Sequence, residues 1–115
     1  MPSSQRGCAV GRRYAAKVDR NQAEIVAALR AVGATVQPLH TVGAGCPDLL
    51  VGFRGRNVLI EVKDWQAGRS DRDLNAVQKE WHAGWKGQVA KVEDVDAALA
   101  VIGAIGLPLA GQING

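Results

Sequence analysis

At 115 residues the chain has room for one modest core, so a single domain over residues 1–115 is expected, with no linker between folded halves. Apolar residues make up 47% and charged residues 22%, and no apolar run reaches the ~20 residues that a membrane span requires. Fourteen Lys and Arg against eleven Asp and Glu leave a net charge of +3, a mild bias toward polyanionic partners.

The first twenty residues, MPSSQRGCAVGRRYAAKVDR, are basic but hold no continuous apolar stretch. No secretory signal is read there, and a cytoplasmic protein is expected. Cys8 and Cys46 are then free thiols, and with His40 and His82 they lack the paired spacing of a zinc site. The basic segment is residues 1–17, the core about 18–103, and a Gly-rich tail 104–115 follows.

From Val18 to Val32, the residues Val18, Gln22, Ile25, Leu29 and Val32 recur at helical spacing, and Gly33 supplies a stop. Glu24 lies about 100° round from Ile25, beside Ala27, Ala28 and Ala31, with open space around it. Thr35 to Thr41 reads as a strand, and Pro38 inside it argues for an edge or a bulge. After the loop VGAGCP, residues Asp48 to Phe53 and Asn57 to Lys63 form a hairpin across RGRN. Alternation along its second strand sets Val58, Ile60 and Val62 on one face and Asn57, Leu59, Glu61 and Lys63 on the other.

Trp65 to Asp73 has no period and reads as a mobile loop. Leu74 to Trp85 predicts a helix with Val77, Trp81 and Trp85 on one face, so the tryptophans are expected in core and interface. Gln88 to Lys91 is a short strand. Val92 to Ile102 is a last helix with Glu93, Asp94 and Asp96 at its positive end. The order α-β-β-β-α-β-α predicts an α/β sandwich with a small mixed sheet flanked by helices.

If Asp48 opens one strand and Glu61 lies near the end of its hairpin partner, two carboxylates meet at one end of the sheet. Hard, oxygen-seeking cations such as Mg²⁺ require that arrangement. Lys63 projects beside them, and a neighbouring ammonium steadies a nucleophile or a developing negative charge. An isolated E-x-K is an exposed ion pair of little consequence. The same residues opposite a Pro-Asp make a phosphodiester-hydrolysis toolkit.

Pro47-Asp48 followed by Glu61-Val62-Lys63 resembles the PD-(D/E)xK nuclease superfamily. GCPDLLVGFRGRNVLIEVKD, with the later VQKEW, is similar to the VRR-NUC family, small stand-alone members of which are common in bacteriophages. The resemblance spans roughly Asn21 to Ile102 and implies a restriction-endonuclease-like α-β-β-β-α-β core. It also implies that Asp48 and Glu61 are metal ligands, with the Val62 carbonyl as a third, and that Lys63 positions the nucleophile. Glu24 matches the family's helix-one acid, and Gln78 the glutamine on the helix after the core. The activity implied is a Mg²⁺- or Mn²⁺-dependent endonuclease acting on branched DNA such as Holliday junctions or flaps. The alternatives are a non-selective or end-acting nuclease, or a nucleic-acid-binding module without catalysis.

Arg12, Arg13, Lys17 and Arg20, with Arg54 and Arg56 on the hairpin turn and Arg69 and Arg72 beyond the second strand, are expected to surround the carboxylates and contact phosphates. Resolving a branched junction takes two incisions related by a two-fold axis, so a symmetric homodimer is expected. The tail residues Ile105, Leu107, Leu109 and Ile113, with the tryptophans, are candidate contact surface.

Overall fold

The computed structural model describes residues 19–105. Arg12, Arg13 and Lys17 of the basic segment, and Leu107, Leu109 and Ile113 of the tail, lie outside the described residues. The elements in chain order are α1 (Gln22–Ala31), β1 (Thr35–Pro38), β2 (Leu49–Phe53), β3 (Arg56–Val62), α2 (Arg69–Arg72), α3 (Ala76–Gly84), β4 (Val89–Val92) and α4 (Val95–Val101). They form a mixed α/β structure around a four-stranded sheet of order β1-β2-β3-β4. The first two pairings are antiparallel and β3 pairs with β4 in parallel. Among the described residues, no helix is long and apolar enough to cross a membrane.

The hairpin is tighter than RGRN suggests. Arg54 and Gly55 alone make the turn, both with positive φ (53° and 81°), as a two-residue type I′ connection requires. Phe53 therefore pairs with Arg56, and every later pair follows, to Leu49 with Ile60. β1 is an edge strand ending at Pro38, where a residue without an N–H is tolerated.

Ile25 and Leu29 of α1 are fully buried, and they share one core with Leu49, Val51, Val58, Ile60, Val62, Val92, Ala98 and Ile102. α1 and α4 thus cover the face of the sheet that carries Val58, Ile60 and Val62. α1 stops at Ala31, with Val32 exposed and Gly33 at φ 98°. α4 starts three residues later than its apolar pattern suggests, because Val92 completes β4 and Asp94 caps the helix by accepting from the Ala97 N–H at 2.8 Å.

Two expectations need correction. The stretch Trp65–Asp73 is not wholly loop, since Arg69–Arg72 form one helical turn. Polar bonds hold it: the Arg72 carbonyl accepts from Lys91 Nζ at 3.0 Å, and its guanidinium lies 3.7 Å from Glu93. A single turn is too short to show a period. The second correction concerns α3, which has no buried residue. Val77 is 55% and Trp85 45% exposed, so the tryptophans lie outside the core. Trp81 and Trp85 stack on each other instead, with centroids 4.8 Å apart and planes at 16°.

α3 is held at its start. The Asn75 side chain accepts from the Gln78 N–H, and the Gln78 side chain accepts from the Asn75 N–H, each at 2.9 Å, a reciprocal capping box. The loop before β2 meets the helix at Gly45, whose φ is 86° and where a Cβ would stand 2.8 Å from the Val77 carbonyl oxygen. Gly45→Ala is therefore expected to destabilise the protein by about 2–4 kcal/mol, combining left-handed strain with overpacking. Urea melts check this, and a change within error would show that α3 can move aside freely.

Candidate active site

Extending the β2–β3 register one step beyond Leu49 and Ile60 sets Asp48 opposite Glu61, with both side chains on the face away from the core. Asp48 is anchored there, because its Oδ2 accepts the Val62 backbone N–H at 2.8 Å. Glu61 is only 3% exposed. Its Oε2 accepts from Gln78 Nε2 at 3.1 Å, while its Oε1 is buried and no N–H donates to it. Lys63 Nζ donates to Gln78 Oε1 at 3.0 Å, the oxygen that also closes the capping box. One glutamine thus joins the start of α3 to the carboxylate and the ammonium.

The electrostatics follow from this crowding. Burial, then the charge of Asp48 and the proton that the two facing carboxyls can share, push the Glu61 carboxyl up to about 8; Lys63 opposes the shift and Asp19 adds to it. The Cys46 thiol is pushed up by burial and then by Glu61 and Asp48. His82 is held below its ordinary value by burial and by Lys63. Glu61 and Cys46, though not His82, face a cavity of about 820 Å³ lined by Asp48, Glu61, Val62, Lys63 and Gln78, with Asp19, Arg20, His40, the loop from Gly43 to Cys46, and the α2 turn.

Asp48, Glu61, Val62, Lys63 and Gln78 therefore come together, and Glu24 does not. α1 packs on the opposite face of the sheet through Ile25 and Leu29, which turns Glu24 out to solvent and away from the cavity. The acid that reaches the cavity from this part of the chain is Asp19, just before α1. In the sequence Asp19 falls inside the expected helix, beside Val18, with nothing to mark it.

Of the described arginines expected around the carboxylates, Arg20 lines the cavity, whereas Arg54 and Arg56 lie away from it. Arg54 and Arg56 sit at the hairpin turn, about 17–20 Å from the carboxylates at ~3.3 Å per residue. Arg54 lies 4.8 Å over the Phe53 ring, and Arg56 donates to the Ile102 carbonyl at 3.4 Å. Arg20 is bound to Asp64 at 2.7 Å, and Arg72 is paired with Glu93. Arg69 is exposed on the α2 turn whose Ser70 and Asp71 line the cavity.

Among the described residues, no group of three or more His, Cys, Asp and Glu lies close enough together to hold a metal ion by itself. The donor set is two facing carboxylates and the Val62 backbone, which suits a hard divalent cation that keeps most of its water. The buried Oε1 of Glu61, which no N–H reaches, and the repulsion between Glu61 and Asp48 are features that such a cation would relieve. Compared with known protein families, curated proteins and solved structures, the chain gives no match.

Proposed function

We propose that this chain is a Mg²⁺- or Mn²⁺-dependent DNA endonuclease of the PD-(D/E)xK type, similar to the VRR-NUC family, that cuts branched or flapped DNA as a homodimer. The observation that supports it most is the buried Glu61 Oε1, which no N–H reaches, directly across from Asp48 and beside Lys63. Burying an ionisable oxygen with no N–H donor costs stability, and such costs concentrate at functional sites.

Asp48 and Glu61, with the Val62 carbonyl, would hold the cation. When bound, it supplies a Lewis acid for the phosphoryl oxygen and a lowered pKa for a coordinated water. Gln78 fixes Glu61 through Oε2 and so keeps Oε1 free for that role. The Lys63 ammonium, steered by the Gln78 carbonyl oxygen, would hold the attacking water and then stabilise the charge that develops on the phosphoryl group. A two-fold dimer would bring two such sites to a symmetric junction.

Incubation with labelled duplex, single-strand, flap and four-way-junction DNA, with and without Mg²⁺ or Mn²⁺, tests the reading. Cleavage that needs the metal and favours branched substrates is expected. Equal cutting of every substrate would leave a non-selective nuclease, and no cutting with either metal would reject the activity. Light scattering beside cruciform-plasmid cleavage tests the dimer, and a monomer that nicks one strand per encounter would reject it.

A further inference from the structure

Asn21 occupies the N-cap position of α1 and does not cap it. Asparagine is among the preferred N-cap residues because its side-chain oxygen takes a free backbone N–H of the first turn, yet no such bond forms here. The side chain points across the molecule instead. Its Nδ2 donates to the carbonyl of Lys63 at 3.1 Å and to that of Glu93 at 2.9 Å, one residue past the ends of β3 and β4. Asn21 is only 8% exposed, and its Oδ1 is left buried with no partner. Two favourable uses of that oxygen, capping and solvation, are both forgone to keep the amide on the strand ends.

The preceding residue does the matching work on the other side of Lys63. Arg20 Nε donates to Asp64 Oδ2 at 2.7 Å and its Nη2 to Gln66 Oε1 at 3.0 Å, while Asp64 Oδ1 accepts the Gln66 N–H at 2.9 Å. The Lys63 N–H donates to the Val92 carbonyl at 2.8 Å. The backbone from Lys63 to Gln66 is thus gripped just after the sheet ends, where a strand would otherwise begin to fray. We infer that Arg20 and Asn21 are positioning residues, a clamp from the start of α1 that fixes the Lys63 backbone so that its ammonium meets Gln78 and the reacting phosphate.

The inference rests on the nuclease reading for its catalytic part and on geometry alone for the clamp. Arg20 becomes a tether to Asp64 in place of the phosphate contact that its charge suggests. A lysine reaches its target through a long flexible stem, so its precision depends on the backbone beneath it.

Asn21→Ser separates the roles, because serine restores a good N-cap while removing both donors. A melting temperature within a few degrees of wild type is expected, together with a fall in kcat of about 10- to 100-fold from misplacement and little change in KM. In a Lys63→Ala background the same substitution should produce no further loss. Arg20→Gln, at a solvent-facing side chain, is the second variant and should lower kcat in the same direction. Amide exchange should quicken at Lys63, Asp64 and Glu93 in Asn21→Ser and remain unchanged in the middle of the sheet. Wild-type kcat in both single variants, or an equal further loss in the Lys63→Ala background, would overturn the catalytic role. If the wild type cuts no DNA, the nuclease reading and that role fall together, while exchange still judges the clamp: faster exchange confined to the strand ends upholds it, and unchanged or uniformly faster exchange overturns it.

Discussion

Asp48→Asn, Glu61→Gln and Lys63→Ala are each expected to lower metal-dependent cleavage by about 10²- to 10³-fold while the protein remains folded. The three side chains gather beyond the ends of β2 and β3 on the face opposite Ile25, Leu29 and their neighbours, so the core does not depend on them. Asp48→Asn keeps a side-chain oxygen for the Val62 N–H and removes only the charge. Lys63→Ala deletes the ammonium and frees the Gln78 oxygen for the capping box alone. Glu24→Ala is a contrasting variant. The resemblance implies a catalytic acid at Glu24, but its side chain is exposed and off the cavity, so a rate within about two-fold of wild type is expected, as for surface changes in general. Single-turnover rates alongside thermal melts decide the matter. Wild-type cleavage by all three site variants would remove the assignment, and a large loss in Glu24→Ala would restore the acid on α1.

Stability should fall as pH rises from about 4.5 to about 8, and a divalent cation should reverse the trend. The folded protein holds the Glu61 proton up to about 8, against 4.5 for the free side chain. Across that window the folded state binds more protons than the unfolded state, so ionisation favours unfolding. The contribution is fully present below 4.5 and is lost as pH passes through 8. Glu61→Gln, which cannot ionise, should flatten this slope and overtake the wild type in melting temperature near pH 8. Asp64 acts in a different window: the Gln66 N–H and then Arg20 hold its carboxyl below the ordinary value, so its contribution is present above 3.8 and lost in more acid solution. Millimolar Mn²⁺ binds the deprotonated pair, so it should raise the melting temperature on the order of 5 °C at pH 8 and less at pH 6. Asp48→Asn and Glu61→Gln should show no such rise. A metal shift that is equal in the wild type and both variants would place the cation elsewhere.

The meeting of the two carboxylates at one end of the sheet is legible in the sequence, but their register is not, because RGRN suggests a longer turn than the two residues that form it. Once Arg54 and Gly55 are the turn, counting back along both strands puts Asp48 against Glu61, and alternation puts both on the face away from Val58, Ile60 and Val62. Pro38 marks an edge by chemistry that any reader of the chain can apply, whereas Asp94, read inside a helix from Val92, proves to be its cap. Gln78 was within reach through the resemblance, but its triple link to Glu61, Lys63 and Asn75 was not.

Tertiary structure decided the rest. An apolar stripe shows that a helix has a water-avoiding face and says nothing about whether a neighbour covers it. Ile25 and Leu29 find the sheet, whereas Val77 and Trp85, at equally good helical spacing, remain half in solvent because α3 rests on a loop. Charges that cluster along the chain need not cluster in space, since a strand carries Arg54 and Arg56 away from the carboxylates at ~3.3 Å per residue. Asp19, Arg20 and Asn21 reach the site only because α1 packs on the sheet with its first residues beside the ends of β3 and β4. No local pattern encodes that meeting; it depends on which face of the sheet the helix covers and where along it the helix begins.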